Sequence, residues 1–460
     1  GEQRGPSLRV VSKSDIDTSL SDITLSKKAY LSGASIRNDR LYLLQTKAYQ
    51  AVNNEPAPEK SNKEKEDSSN LFLTVLDLSK LPKISIISEL SLIDEKMGWN
   101  NQFKANWPSD GKLLWSNKGG NRNYGWSDHL IEDDGMRDIW WPGYGGGAGQ
   151  LICFDVNDPA KPVLASNINL STKENDEQDE NNKRSWHYIN RWNFSESFHT
   201  KNGLVYLSSQ HSEYFDQKGS NDDSGSEEEI PDDEEQKPEP QPQPRGYWVT
   251  RYELHVVDYT DPLEPVVREA LAIPGSLIGI SHDGALVYTY GTHWTEDRKW
   301  DGDWFDAISY DGLQVHLVDS IEQPNSWPRS HVLTKDGTLF LAFTERIKVL
   351  DDEGFVEYEN QPFLQSFALD ETGSYAMLDE VKSKNEIQQL AGVGGKILGI
   401  DNQRNIYFLE ISKPSSIGFS GKGRVGGCLW FNLDAISGGS ESGIWIPLGQ
   451  YGASQLGLED

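Results

Sequence analysis

The sequence predicts an all-β chain, and three observations carry that prediction. Short apolar runs that end in a carboxylate recur along its 460 residues. Leu151 to Leu164 (LICFDVNDPAKPVL) and Leu254 to Val267 (LHVVDYTDPLEPVV) share Leu, both Asp, both Pro and one Val without a gap. Shorter echoes are LTVLD (Leu73 to Asp77), VHLVD (Val315 to Asp319), IKVLD (Ile347 to Asp351) and IYFLE followed by Ser412-Lys413-Pro414. Proline closes the longer phrases; it supplies no N–H and fixes φ, so the strand stops and the chain turns. Gly-containing turn pairs then sit between apolar alternations, and Asn-Gly or Asp-Gly in that setting is the strongest short hairpin signal.

Taken in order, residues 1–33 are polar, with Leu8 to Val11 the one clear strand. The first hairpin is Ala34 to Thr46, turning at Asn38-Asp39. Similar hairpins follow at Phe103 to Ser116 around Ser109-Asp110-Gly111, and at Ser197 to Ser208 around Lys201-Asn202-Gly203. Others are Ser276 to Tyr290 around Asp283-Gly284, and Ser330 to Phe343 around Asp336-Gly337. The last two are Leu364 to Leu378 around Thr372-Gly373 and Gln389 to Ile400 around Gly394-Gly395. Residues 249–290 read as one complete repeat: a strand at Leu254 to Asp258, another at Val266 to Ile273, and a pair turning at Ser281-His282-Asp283-Gly284.

A repeated strand–turn unit marks a radial or solenoid array. The prediction is a single β-propeller over residues 1–460, built of four-stranded antiparallel blades. The seven hairpins favour seven blades; six and eight stay open because Gly427 to Leu433 fits either end of the ring. Alternate strand residues share a face, so Leu151, Cys153, Leu254 and Val256 are expected between blades. The phrase resembles the LVIVD-type repeat of bacterial and archaeal cell-surface β-propellers, most fully in its two long copies. The resemblance implies the propeller fold, an N-terminal strand that completes the last blade, and an extracellular or cell-surface location, with the periplasm also compatible.

Insertions break the period at about 52–70, 117–149, 171–184 and 212–246. The first is rich in Lys, Glu, Asn and Ser, and residues 171–184 are acidic and amide-rich. Residues 216–246 are acidic, then Pro-rich, which favours polyproline II. Such compositions bury too little apolar surface to order themselves and read as solvated loops. Residues 117–149 mix Gly, aromatics and acids, and read instead as a segment packed over one face of the ring. Long ordered loops are usually functional.

Charge narrows the function classes. With 43 Lys and Arg against 72 Asp and Glu, the net charge is −29. DNA or RNA binding needs a basic footprint, so nucleic-acid partners are excluded, and an anionic membrane would repel the chain. Such a surface suits an exterior setting, or a site for cations or basic partners. No apolar run approaches the ~18 residues of a membrane span. The start at Gly1, without Met or a signal peptide, reads as a mature or trimmed N-terminus. Cys153 and Cys428 are too few for a zinc site; they are buried thiols or a disulfide between distant blades.

The sequence offers three kinds of candidate site. Trp99, Trp107, Trp126, Trp140, Trp141 and Tyr144 form one aromatic group, Trp186, Tyr188 and Trp192 a second, and Trp294, Trp300, Trp304 and Phe305 a third. Flat rings beside carboxylates and amides hold sugars or cationic side chains. Trp140, Trp141, Tyr144, Trp300 and Trp304 are therefore the candidate ligand-binding residues, and residues 117–149 and 292–312 are expected on one face of the ring. The alternative is that these rings only pack the insertions down. Asp301, Asp303 and Asp306 have a D-x-D-x-x-D spacing that could hold Ca2+, a cation that takes six to eight oxygens. The stretch departs from the EF-hand phrase, and a solvated acidic loop is the alternative. No G-x-S-x-G elbow, H-E-x-x-H, Walker loop or C-x-x-C-H occurs, so no catalytic residues are named. Asn169 and Asn193 are glycosylation sequons, relevant only to a eukaryotic secretory pathway. The reading is a secreted or cell-surface, non-catalytic binding or scaffolding module for a protein or glycan partner. Its rival is a propeller hydrolase or lyase acting on glycans at the central channel.

Overall fold

The turns that the sequence marks do close antiparallel pairs. Asn38 and Asp39 take φ of 52° and 55° between the first two blade strands, and Gly284 takes 77° at the equivalent turn of a later blade. Asn and Asp enter this left-handed region more readily than other L-residues, and Gly enters it without strain. The computed structural model describes residues 7–11, 18–25, 29–46, 71–92, 103–117, 149–170, 193–194, 197–216, 246–295, 300–323, 326–334, 337–350, 356–393, 396–401, 405–409, 415–424, 437–439, 443–447 and 453–456.

Two N-terminal strands, β1 (Ser7–Val11) and β2 (Ser19–Thr24), pair with each other. The first blade is β3 (Tyr30–Arg37), β4 (Arg40–Thr46), β5 (Leu71–Asp77) and β6 (Ser85–Leu92). The second is β7 (Phe103–Ser109), β8 (Lys112–Asn117), β9 (Gln150–Asp155) and β10 (Val163–Asn169). The third breaks its first and last strands in two: β11 (Asn193–Phe194) and β12 (Phe198–His199), then β13 (Leu204–Asp216), β14 (Gly246–Asp258), then β15 (Val266–Val267) and β16 (Leu271–Ile273). The fourth is β17 (Ser276–Ile280), β18 (Leu286–Trp294), β19 (Trp300–Tyr310) and β20 (Val315–Gln323). The fifth is β21 (Ser326–Leu333), β22 (Thr338–Leu350), β23 (Val356–Leu369) and β24 (Tyr375–Lys382). The sixth is β25 (Ile387–Val393), β26 (Lys396–Asp401), β27 (Asn405–Leu409) and β28 (Phe419–Arg424). A three-stranded sheet follows: β29 (Ser437–Gly439), β30 (Gly443–Pro447) and β31 (Ala453–Leu456).

The chain is an all-β propeller of up-and-down antiparallel blades. First strands lie against first strands of the next blade, β3 on β7, β7 on β12 and β21 on β25, which puts them innermost. Middle strands buried on both faces are mostly apolar on both; Leu71 to Leu76 in β5 is buried throughout, with Thr74 its one polar residue. Leu151 and Cys153 are fully buried with Val205, Leu207 and Val257 between blades two and three. Leu254 and Val256 are buried with Leu277, Val287 and Ile308 between blades three and four.

The phase of the repeat differs from the sequence reading. Residues 249–290 are not one blade; they hold the last two strands of blade three and the first two of blade four. VHLVD is a fourth strand (β20), IKVLD lies at the end of a second strand (β22), and the turn at Thr372-Gly373 joins third to fourth strand rather than first to second.

Strand alternation sorts the connections by end. Turns between first and second strands, and between third and fourth, lie at one end of each blade. The segments 47–70, 118–148, 217–245 and 295–299 all join a second strand to a third, and 170–192 joins blade two to blade three, so all leave from the other end. Only two residues separate Ile273 from Ser276 and Gln323 from Ser326, so neighbouring blades keep the same orientation. Of the insertion at 212–246, residues 212–216 and Gly246 are strand; the rest of it, and residues 52–70 and 171–184, lie outside the described residues.

Candidate functional site

The hairpin of β18 and β19 climbs toward the insertion end of blade four. Its register sets Thr289 opposite Asp306, Gly291 opposite Trp304 and His293 opposite Gly302. Alternation puts these residues on the face turned toward blade three, above the Val287 and Ile308 core. The two blades close tightly there. A Cβ on Gly291 would lie 2.5 Å from Gly275 Cα and 3.1 Å from the Tyr252 ring, so only glycine lets the backbones approach.

Above this contact sits a polar group on an aromatic support. Asp306 is fully buried; its carboxylate accepts hydrogen bonds from His293 Nε2 at 3.0 Å and from Ser320 Oγ at 2.7 Å. The His293 ring stacks on Trp304, with centroids 5.2 Å apart and planes 11° apart. Both rings are half-buried, so their outer edges reach the insertion rim. Thr289 is fully buried directly across from Asp306, and among the described residues its hydroxyl has no partner. The acid fixes the imidazole through Nε2 and leaves Nδ1 directed away from it. Chemically the arrangement offers an oriented imidazole for proton transfer and an indole for stacking.

The opposite face of the same hairpin uses different residues. Asp303 accepts a hydrogen bond from Thr292 Oγ1 at 2.6 Å. Burial, with the Asp303 charge behind it, pushes the nearby Tyr290 phenol well above its ordinary range. His331 from blade five lies against Tyr290 and Phe305, and desolvation pushes its imidazole down to about 4.

The candidates from the sequence are thus divided. Trp304 is at the site, and Trp300 opens β19 with its backbone paired to Trp294. Trp140, Trp141 and Tyr144 lie outside the described residues. Asp301, Asp303 and Asp306 sit on a strand rather than in a loop, and Asp303 and Asp306 turn to opposite faces, each with its own partners. Among the described residues no group of three His, Cys, Asp or Glu is placed to hold a metal ion. Cys153 is a buried free thiol pushed up to about 12 by desolvation, and Cys428 lies outside the described residues. His293, Thr289 and Ser320 escape the sequence reading, because an acidic Ca2+ or solvated loop at Asp301, Asp303 and Asp306 leaves no place for the strand register that brings His293 beside Trp304 and Asp306.

A second polar group fills the seam between blades two and three. Asn106 Nδ2 donates to Ser197 Oγ at 2.8 Å, Ser116 and Ser197 share a hydrogen bond, and His199 Nδ1 lies 3.1 Å from Asn106 Oδ1. Burial and then Lys104 lower the His199 pKa. Farther out, Ser209 Oγ is 2.7 Å from His255 Nε2, and Glu253 is 4.0 Å from that same nitrogen. A nucleophilic triad needs its acid on the other ring nitrogen and an accessible serine, whereas Ser209 is fully buried. This group builds the seam.

No protein-family model matches the chain, and no curated protein matches it. Among solved structures it is similar to a Lactobacillus plantarum protein, at 8% identity and a TM-score of 0.41, covering 85% of this chain and 84% of that one. It is also similar to the periplasmic gluconolactonase of Pseudomonas aeruginosa, at 11% identity and a TM-score of 0.39, covering 88% of this chain and 87% of that one. A third is Chaetomium thermophilum Sqt1, solved bound to the N-terminus of ribosomal protein L10, at 9% identity and a TM-score of 0.41, covering 89% of this chain and 78% of that one. Likeness at these identities and TM-scores says nothing of activity. Among the described residues no helix is long and apolar enough to cross a membrane.

Proposed function

We propose that this propeller is a secreted or cell-surface, non-catalytic binding module whose recognition surface is the insertion rim, for a protein or glycan partner. One observation carries the reading: the stacked Trp304–His293 pair lies at the end of the blades from which the insertions leave. Binding residues gather on loops held by a rigid scaffold, and this rim is where the chain departs from its blade plan. The aromatic residues Trp140, Trp141, Tyr144 and Trp300 belong to the same proposed surface. Truncating an aromatic anchor typically costs about 2 kcal/mol or more of binding. The test is calorimetric titration of the chain with panels of soluble oligosaccharides and peptides. A ligand should be found whose affinity falls in Trp304→Ala and Trp141→Ala while the circular dichroism melt holds; equal affinity in both variants sinks the proposal.

The His293–Asp306 pair favours a second reading, a hydrolase or lyase acting on glycans, with His293 as the acid–base group oriented by Asp306. Release of reducing or unsaturated sugar ends that vanishes in His293→Ala would establish it over the binding module. Absence of turnover across the same panel would retire it.

A further inference from the structure

We infer that the hairpin of blade five takes an extended acidic segment of a partner protein as an added strand beside β22, with alternate carboxylates of that segment meeting Arg346 and Lys348. The inference concerns the seam of blades five and six and does not depend on the Trp304–His293 pair. Strands β22 and β23 stay paired out to Leu350 and Val356. Their neighbours stop sooner: β21 accompanies β22 only as far as Ser326 opposite Glu345, and β24 accompanies β23 only as far as Lys382 opposite Phe363. The chain entering β21 comes from blade four, where Gln323 is paired with Asp303. Among the described residues no strand runs beside β22 from Arg346 to Leu350, a length of about 17 Å. Blade six ends lower, with Ile387 paired to Asp401 at its top and Glu386, just before it, accepting from Thr344 Oγ1 at 3.4 Å. A row of unpaired backbone N–H and C=O groups is a template for another strand.

Strand alternation sorts the charges of this hairpin by face. Glu345, Ile347 and Val349, with Glu359 and Gln361 across from them, share the face of Leu339 and Leu341, which pack on Phe305 of blade four. Arg346 and Lys348 share the face of Phe340 and Ala342, which pack with Ile387 and Leu390 of blade six. On that face Arg346 stands opposite Asn360 and Lys348 opposite Tyr358, all four exposed. The Arg346 guanidinium lies over the Tyr358 ring, 4.1 Å from its centroid. Stacking fixes the planar group by its face and leaves its N–H edge for a carboxylate. The acids at the foot of the face are engaged: Glu386 by Thr344, and buried Asp401 by Asn385, Asn405 and Tyr407. Two cations without an acid between them repel a basic strand and favour an acidic one. Alternate residues of an extended segment recur about every 7 Å, so carboxylates two residues apart would fall beside Arg346 and Lys348. The net charge of −29 opposes an acidic ligand, but at physiological salt charges are screened over about 8 Å, so the two adjacent cations outweigh the distant carboxylates.

The test uses the full chain and a fluorescein-labelled octapeptide of alternating Glu and Thr, followed by anisotropy at about 0.15 M salt. A peptide of the same composition, with its Glu and Thr in two blocks, is the comparison. The alternating peptide should bind, about fivefold or more tighter than the block peptide. The double variant Arg346→Gln/Lys348→Gln should raise its Kd by about tenfold, as two exposed charge pairs would. Lys80→Gln/Lys161→Gln removes the same charge from the opposite end of the blades and should leave Kd within about twofold. Saturating peptide should slow amide exchange at residues 346–350, the mark of a strand added to that edge. Failure of the alternating peptide to bind would overturn the inference. So would equal binding of the block peptide, or equal weakening in the Lys80/Lys161 variant, either of which means diffuse attraction. Binding that leaves exchange at 346–350 unchanged would overturn it as well. Circular dichroism melts of each variant check that the fold is kept.

Discussion

Asp77, Asp155, Asp258, Asp311 and Asp370 each end or follow a third strand and do one job. Each carboxylate accepts the backbone N–H two residues ahead, at 2.9, 3.0, 2.9, 2.9 and 2.8 Å, and so holds the turn to the fourth strand. Side-chain donors (Ser79, Lys112, Thr260 and Thr372) at Asp77, Asp155, Asp258 and Asp370, and the backbone N–H groups after them and at Asp311, favour the ionised form and hold all five below the usual carboxylate range. A depressed carboxylate stabilises the fold above its unfolded pKa and loses that contribution as pH falls through the folded value. Melting temperature should therefore fall steeply below about pH 4. His331 works in a separate window. Its folded value, about 4, is below the unfolded one, so its contribution is full above about 6.5 and drains away as pH falls toward 4. Melts from pH 7 to 3 should show both stages, and His331→Gln should remove only the upper one. An upper stage unchanged in that variant would refute the assignment. These aspartates were legible in the sequence for blades one to three and not for four and five, and the reason is a slip in register. Leu78, Val156 and Tyr259, just after the Asp, donate to the carbonyl of the first turn; in the later blades Tyr310 and Leu369, just before the Asp, do so. The carboxylate has moved two places along the turn, so a fixed-spacing phrase loses it.

At the level of elements, the tightest connections mislead. Blade three passes to blade four through residues 274 and 275, whereas its own last turn takes residues 259–265. Compact sequence neighbours thus belong to different blades, and the unit 249–290 reads as whole when it straddles a seam. Bulges are equally hidden. The fourth strands β6, β10, β20, β24 and β28 each carry an extra residue at the same place, and the third-blade fourth strand is broken outright. A bulge re-aims the next side chain, and two blades use this to reach their neighbours. Asp319 in β20 accepts the N–H of Tyr375 in blade five at 2.8 Å, and Asp379 in β24 accepts that of Ile417 in blade six at 2.6 Å. Hydrogen bonds to a charged acceptor contribute about 1.5–3 kcal/mol. Asp379→Ala should cost that order of stability in denaturant melts and speed amide exchange at Ile417 ahead of the inner strands. Uniform exchange, or unchanged stability, would show that the bridge is incidental. The candidate site was legible only in part for a related reason: aromatics and acids stand out by composition, but the pairing of His293 with Asp306 depends on a hairpin register that no turn residue announces.

For the whole molecule the two outermost blades bear on how the array meets its own beginning. Blade one buries Leu44, Leu73 and Val75 against blade two, and turns Leu43 and Leu76 the other way. That second face is covered by the N-terminal strands, with Leu25 buried and Leu8 and Ile23 packed beside it. At the other end of the array, β29 lies against β25 of blade six. The N-terminal strands thus cover the outer face of blade one and β29 adjoins blade six, an arrangement that a seventh blade assembled from both termini would have. Removing residues 1–25 strips three large apolar side chains from the blade-one face. At about 2 kcal/mol for each buried side chain, and roughly 2 °C for each kcal/mol in a large domain, the melting temperature should fall by about 10 °C. Closure predicts more than this local loss, because opening a ring frees both edges. Amide exchange in the truncated chain should accelerate in β4 to β6 and, together with it, in β30. Faster exchange confined to β4 to β6 would show that the N-terminal strands cap blade one alone and that the ring is completed without them.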